Sequence, residues 1–135
     1  MDHENPRFGF AQMSPRFLDV ESNASFICDL LEKAAREKTA CVLFPELALT
    51  GYGLSREALP EKERPFLARE VKRGLEQIAL ATERTGVGAL VSYPLMEGDR
   101  LYIAAACFYG GKLLGEHRKV NLCNPREMFC LFRRL

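Results

Sequence analysis

The chain has 135 residues, 47% hydrophobic and 27% charged, with a net charge of +1. That length suits one domain with a real core, and near-neutrality leaves no long-range field to attract nucleic acid or an anionic membrane. No apolar run approaches a membrane span, and the opening MDHENPRFGF lacks the apolar stretch of a signal peptide, so a cytoplasmic protein with neither nucleic-acid nor membrane partners is expected.

In chain order, RFGFAQM (Arg7 to Met13) reads as a first strand. From about Val20 to Lys38 the periodicity is helical. Ile27, Leu30, Leu31, Ala34 and Ala35 fall on one side, and Asp29, Glu32, Lys33 and Arg36 on the other. TACVLF follows as a short, continuously apolar strand, the pattern of a strand covered on both faces. Strand, helix and strand in that order predict a βαβ unit. The link LSREALPEKERP is polar and broken by two prolines. A second helix is predicted from about Pro65 to Arg84, with Leu67, Val71, Leu75, Ile78 and Thr82 on one stripe and glycine at its end. VGALVSYP is a third strand. RLYIAAACFY, Gly110-Gly111 and KLLGEHRKV then form a predicted hairpin, because paired glycines supply the positive φ angles of a tight turn. The fold class is α/β, with no internal repeat or linker. The last residues, NLCNPREMFCLFRRL, fit no element.

The five cysteines, Cys28, Cys41, Cys107, Cys123 and Cys130, include no C-x-x-C pair, and only His3 and His117 could add imidazole. No metal site and no cofactor are expected. Cys28, Cys41 and Cys107 sit in apolar pattern and read as small core residues, in keeping with a reducing compartment.

Reactive groups in open α/β folds gather beyond the carboxyl ends of the strands. Glu46 stands there, immediately after TACVLF and Pro45, and Lys119 stands at the end of the last strand. Each also has an ordinary reading. Glu46 can cap a helix or face solvent, and Arg118-Lys119 can be a solvated basic pair. Far apart in sequence, the two meet only if the fold brings them together.

VLFPELALTGYG followed by GKLLGEHRKVNL resembles the carbon–nitrogen hydrolase (nitrilase) superfamily, whose members carry a glutamate in an F-P-E-L-x-L-T-G-Y context and a lysine in an R-K-x-x-L context. The resemblance runs from RFGFAQM to about Leu122. It implies the N-terminal part of an α-β-β-α sandwich, two packed sheets with helices outside. It also implies a Glu-Lys-Cys triad that hydrolyses a non-peptide C–N bond in an amide, nitrile or carbamoyl compound. Glu46 aligns with the general base and Lys119 with the cation that stabilises the tetrahedral intermediate. Glu127 stands at about the offset of a second, substrate-positioning glutamate, and a solvated loop glutamate is its equal alternative.

The chain departs from the family pattern in three places. Ile103 follows Tyr102 where the family usually has asparagine, and FCLFRRL stands where an F-x-P-G turn often follows the lysine. The family's nucleophilic cysteine lies well downstream, on a sharp turn after another strand. Cys123 and Cys130 are the only later cysteines before Leu135, and neither has that context. The expectation is therefore a truncated domain at 1–122 and a divergent tail at 123–135, with the nucleophile missing and the chain inactive alone. Half a sandwich leaves apolar faces open, which predicts a homo-oligomer. The competing reading is a non-catalytic interaction protein that keeps half the fold and pairs with a full-length relative.

Overall fold

The structure, a computed structural model, describes residues 5–54, 58–98 and 100–121. The elements are β1 (Arg7–Phe10), α1 (Val20–Arg36), β2 (Thr39–Leu43), α2 (Arg64–Thr85), β3 (Gly88–Glu97), β4 (Arg100–Tyr109) and β5 (Lys112–Arg118). Among the described residues the strands form one sheet in the order β1-β2-β3-β4-β5. The pairs β1–β2 and β2–β3 are parallel, and β3–β4 and β4–β5 are antiparallel. Strands β2, β3 and β5 thus run the same way, and their carboxyl ends emerge at one edge.

Both helices form where their apolar residues recur every three or four positions. Asp19 caps α1 by accepting from the Ser22 amide at 3.1 Å, and the bonds from Ser22 hold its carboxyl below the usual carboxylate range. Val20, Ala24, Ile27, Leu31 and Ala34 line the buried side of α1, and Leu67, Val71, Gly74, Ile78 and Ala81 that of α2. A Cβ at Gly74 would lie 3.0 Å from Val20 Cγ1 and 3.4 Å from Ala24 Cβ, so glycine lets the helices approach closely. Gly86, at φ 70°, ends α2 in the left-handed conformation. The β4–β5 turn takes the same sign at Gly110 (φ 56°) and Gly111 (φ 79°).

The helices pack on each other and on one face of the sheet, α1 over β2 and α2 over β3 and β4. Val42, Ala89, Val91, Ala104 and Ala106 are buried on that face. The alternate residues point the other way. There Phe8 and Phe10 are 61% and 80% exposed, and Cys41, Leu43, Leu90 and Cys107 are half-buried. The apolar pattern of β2 predicts cover on both faces, and the structure covers one. No helix or strand of the described residues lies over the second. For the same reason Cys41 and Cys107 are not the core residues that their apolar setting suggests, whereas Cys28 is buried.

Two further differences concern boundaries. β1 ends at Phe10, although the Ala11 amide still donates to Leu43 O at 2.9 Å. The link after Gly53 looks polar by composition, yet Leu54 and Leu59 are each 2% exposed and anchor it to the core. No helix among the described residues is long and apolar enough to cross a membrane.

The two sides of α2 supply a direct test. Ile78 is fully buried and Leu80, two residues on, is 60% exposed. Ile78→Ala should destabilise by about 2–5 kcal/mol, the cost of deleting buried methyl groups and leaving a cavity. Leu80→Ala should stay within about 0.5 kcal/mol. Urea unfolding of both variants checks the assignment, and equal losses would contradict it.

Candidate active site

Phe44 makes the last bond of β2 to β3, its amide donating to Leu90 O at 3.0 Å. Pro45 has no amide to continue the ladder, so the chain is released there. The next residues make a tight, buried turn: Leu47, Ala48, Leu49 and Thr50 are all 3% exposed or less. The Thr50 and Gly51 amides both donate to Leu47 O, at 3.1 and 2.7 Å. Gly51 sits at φ 72° with Pro15 O 3.3 Å from where a Cβ would be, a position suited to glycine on both counts.

Three neighbours hold this turn. Ser92 of β3 accepts from the Leu47 amide through its hydroxyl at 3.0 Å, and the Leu49 amide approaches its carbonyl at 3.5 Å. Asn23 of α1, 3% exposed, donates to Leu49 O at 2.9 Å and bonds Arg16 in both directions at 2.8 Å. The Leu18 amide donates to Thr50 O at 2.9 Å. The turn is therefore fixed to the sheet on one side and to the start of α1 on the other.

At the far end of the sheet, Arg118 and Lys119 diverge. Arg118 points to the helix side, where it binds Glu97 (2.7 Å for one of two contacts) and lies 5.1 Å from the Tyr102 ring centroid. Tyr93 on the same side donates to Glu116 of β5; burial first and that carboxylate second push its pKa up. These contacts fix the end of β5. The Lys119 amide donates to Ile103 O at 2.8 Å, and its side chain, one residue after Arg118, takes the opposite face. The basic dipeptide is thus two residues with separate tasks.

Glu46 and Lys119, 73 positions apart in the chain, meet there. Lys119 Nζ donates to Glu46 Oε1 at 2.8 Å, and the Tyr52 hydroxyl donates to Oε2. Their side chains are 25% (Lys119) and 31% (Glu46) exposed. Strands β2 and β5 are three places apart, a gap of about 14 Å at the usual strand spacing. No single side chain spans that, so the turn must cross over β3, and it does so at Ser92. The pair opens on a cavity of about 620 Å³ that Ser92, Ile103, Ala105 and His117 also line. A second concavity, about 580 Å³ beside α1, is lined by Arg16, Glu21, Ser22 and Asp29, away from the strand exits.

A carboxylate with a cation on one oxygen and a phenol on the other, on a buried mount beside an open cavity, suits proton transfer. The adjacent ammonium suits stabilisation of a developing anion. Among the described residues no cluster of three His, Cys, Asp or Glu is placed to hold a metal ion. Cys28, Cys41 and Cys107 do not line the cavity with Glu46. Burial pushes the Cys28 and Cys41 thiols up, away from thiolate at neutral pH. Cys123, Cys130 and Glu127 lie outside the described residues. Sequence reasoning passed over Tyr52 and Ser92. The signals are a tyrosine between two glycines six residues after Glu46, and a lone hydroxyl in an apolar strand.

The family profile described as carbon–nitrogen hydrolase matches residues 7–133. A glutamine-dependent NAD(+) synthetase from Thermotoga maritima is 32% identical over 118 residues, which is 87% of this chain and 20% of that protein. A nitrilase from Pyrococcus abyssi is 27% identical over 124 residues, 91% of this chain and 46% of its own length. An amidase from Nesterenkonia superposes with a TM-score of 0.79 at 25% identity, covering 92% of this chain and 46% of that one. The chain thus spans from a fifth to just under half of the relatives it matches.

A pair exposed to this degree adds little to stability. A partly exposed ion pair contributes about 0–1 kcal/mol. Glu46→Gln should therefore change unfolding free energy by less than about 1 kcal/mol, measured in urea. A loss near that of Ile78→Ala would make the pair a structural strut.

Proposed function

The chain belongs to the carbon–nitrogen hydrolase family, and on that premise we propose that it carries the Glu-Lys half of a site that hydrolyses a non-peptide C–N bond in an amide, nitrile or carbamoyl compound. The observation that carries this reading is the 2.8 Å contact between Lys119 Nζ and Glu46 Oε1, made between the ends of strands three places apart, at the sheet edge where reactive groups gather. The proposed domain is 1–122 and the proposed tail 123–135, although the family match reaches residue 133. Glutamine is one candidate amide, since the synthetase relatives are glutamine-dependent. Free thiols at Cys28, Cys41 and Cys107 suit a cytoplasmic setting.

With a cysteine thiol supplied from outside the described residues, Glu46 accepts the thiol proton and the thiolate attacks the amide carbon. The resulting oxyanion takes a hydrogen bond from the Lys119 ammonium. As the C–N bond breaks, Glu46 returns the proton to the departing amine, leaving an acyl thioester. A water, deprotonated by Glu46, then attacks that thioester. The acid leaves, the thiol regains its proton, and the site is restored.

Purified as 135 residues, the chain should release no ammonia from short amides, glutamine or simple nitriles, because loss of a nucleophile removes about 10⁶ in rate. Extended by downstream sequence bearing a strand–Cys–turn, it should become active. Glu46→Gln and Lys119→Met should each then lower kcat by about 10²–10⁴. Full activity in either variant would overturn the base and cation roles of Glu46 and Lys119. Ammonia release by the 135-residue chain, abolished by Cys123→Ala, would place the nucleophile inside it.

A second reading, a non-catalytic interaction protein that keeps half the fold and pairs with a full-length relative, is favoured by the exposure of Phe8 and Phe10 on the uncovered face, which also suits a homo-oligomer. Light scattering at tens of micromolar should show a homo-oligomer, with Phe8→Ser/Phe10→Ser shifted toward monomer. A monomeric wild-type chain would count against the homo-oligomer, and failure to co-elute with a full-length relative would count against the interaction protein.

A further inference from the structure

We infer that Ser92 is a positioning residue: its hydroxyl, by accepting from the Leu47 amide, aims the Glu46 carboxylate at Lys119. Its part in catalysis rests on Glu46 acting as the base; its hold on the carboxylate does not.

Ser92 is 8% exposed, and its strand is otherwise apolar from Ala89 to Val91. A hydroxyl in such a strand is costly unless bonded, and its partner is the Leu47 amide at 3.0 Å. The Leu47 nitrogen belongs to the same peptide plane as the Glu46 carbonyl. Anchoring that N–H, with the Phe44 amide bonded to Leu90 O on the other side, holds the backbone before and after Glu46 and so narrows the directions its side chain can take. Control is needed at this point. Pro45 donates no hydrogen bond, and Leu47 holds φ at 53°, a left-handed conformation that a branched side chain seldom adopts unaided.

The register shows why the holder is residue 92. Ser92 pairs with Ala105, and Ala105 with His117, two residues before Lys119. One row across β3, β4 and β5 therefore fixes the acceptor under Glu46 and, two residues on, the mount of Lys119. Both members of the pair are referred to a common frame. Asn23 steadies the other end of the turn through Leu49 O, farther from the Glu46 peptide.

The test reads the pair without turnover. Lys119 Nζ is labelled with an amine-acylating reagent and its rate followed by peptide mass spectrometry. Glu46→Gln should raise that rate about threefold, as loss of a partly exposed ion pair predicts. Ser92→Ala should raise it comparably, Ser92→Thr should stay near wild type, and Ser92→Ala/Glu46→Gln should equal Glu46→Gln alone. A folded Ser92→Ala chain labelled at the wild-type rate, or effects that add in the double variant, would overturn the inference. If Ser92→Ala does not fold, amide exchange in the wild type decides. A Leu47 amide protected like that of Phe44 supports the bond, and exchange as fast as in an exposed loop overturns it. Coupled labelling with no catalytic loss for Glu46→Gln in the extended enzyme would count against the proposed function and leave this inference standing.

Discussion

Strands β2 and β5 stand three places apart in the sheet, and the paired charges exist only because the turn after β2 crosses that gap. Several features of the chain serve the crossing. Pro45 ends the ladder, Leu47 bends the backbone left-handed, and Gly51 closes the turn against Pro15. The burial of Ala48, Leu49 and Thr50 makes the turn part of the core, so it has no freedom to wander. The helices matter to the site chiefly through this turn. Val20 and Ala24 pack on α2 at Gly74, and that packing fixes the helix start from which Asn23 reaches Leu49.

The sheet separates two kinds of surface. Its helix side is closed by aliphatic packing and, beyond the helices, by the polar contacts of Tyr93, Glu116, Arg118 and Glu97. Its other side is apolar toward β1 and polar toward β5. Glu46, His117 and Lys119 occupy the polar end beside the cavity, while Phe8 and Phe10 lie at the apolar end. One face thus presents a charged corner and an unsatisfied hydrophobic area together. Solvent access that suits the first is unfavourable for the second, with exposed phenyl rings costing about 25 cal/mol for each Å² left in water.

The elements were legible in the sequence where periodicity was strong. The stripes of α1 and α2, the glycine after Thr85 and the Gly110-Gly111 turn each carry a local physical reason, and the structure follows them. Glu46 and Lys119 stand out through the length of their motifs, with no help from spacing. Less was legible where the cause is tertiary. Nothing local distinguishes Cys41 and Cys107 from core residues, because an apolar strand pattern records that a face is apolar and not what lies over it. Leu54 and Leu59 were hidden by charged neighbours. Ser92 gains its meaning only from a turn nearly fifty positions earlier, which crosses β3 because of strand order.

The two charges differ in how they are mounted. Glu46 sits on a turn buried between sheet and helix, but Lys119 follows β5, which among the described residues is an edge strand, exposed along its length and paired only with β4. Proteins open first where few buried contacts oppose it, and an edge strand can detach at a fraction of the global unfolding free energy. Fraying of β5 would carry the ammonium away while the carboxylate stayed in place. The pair thus joins a mount enclosed by the core to one that faces solvent. A surface packed against β5 would add contacts that oppose such opening.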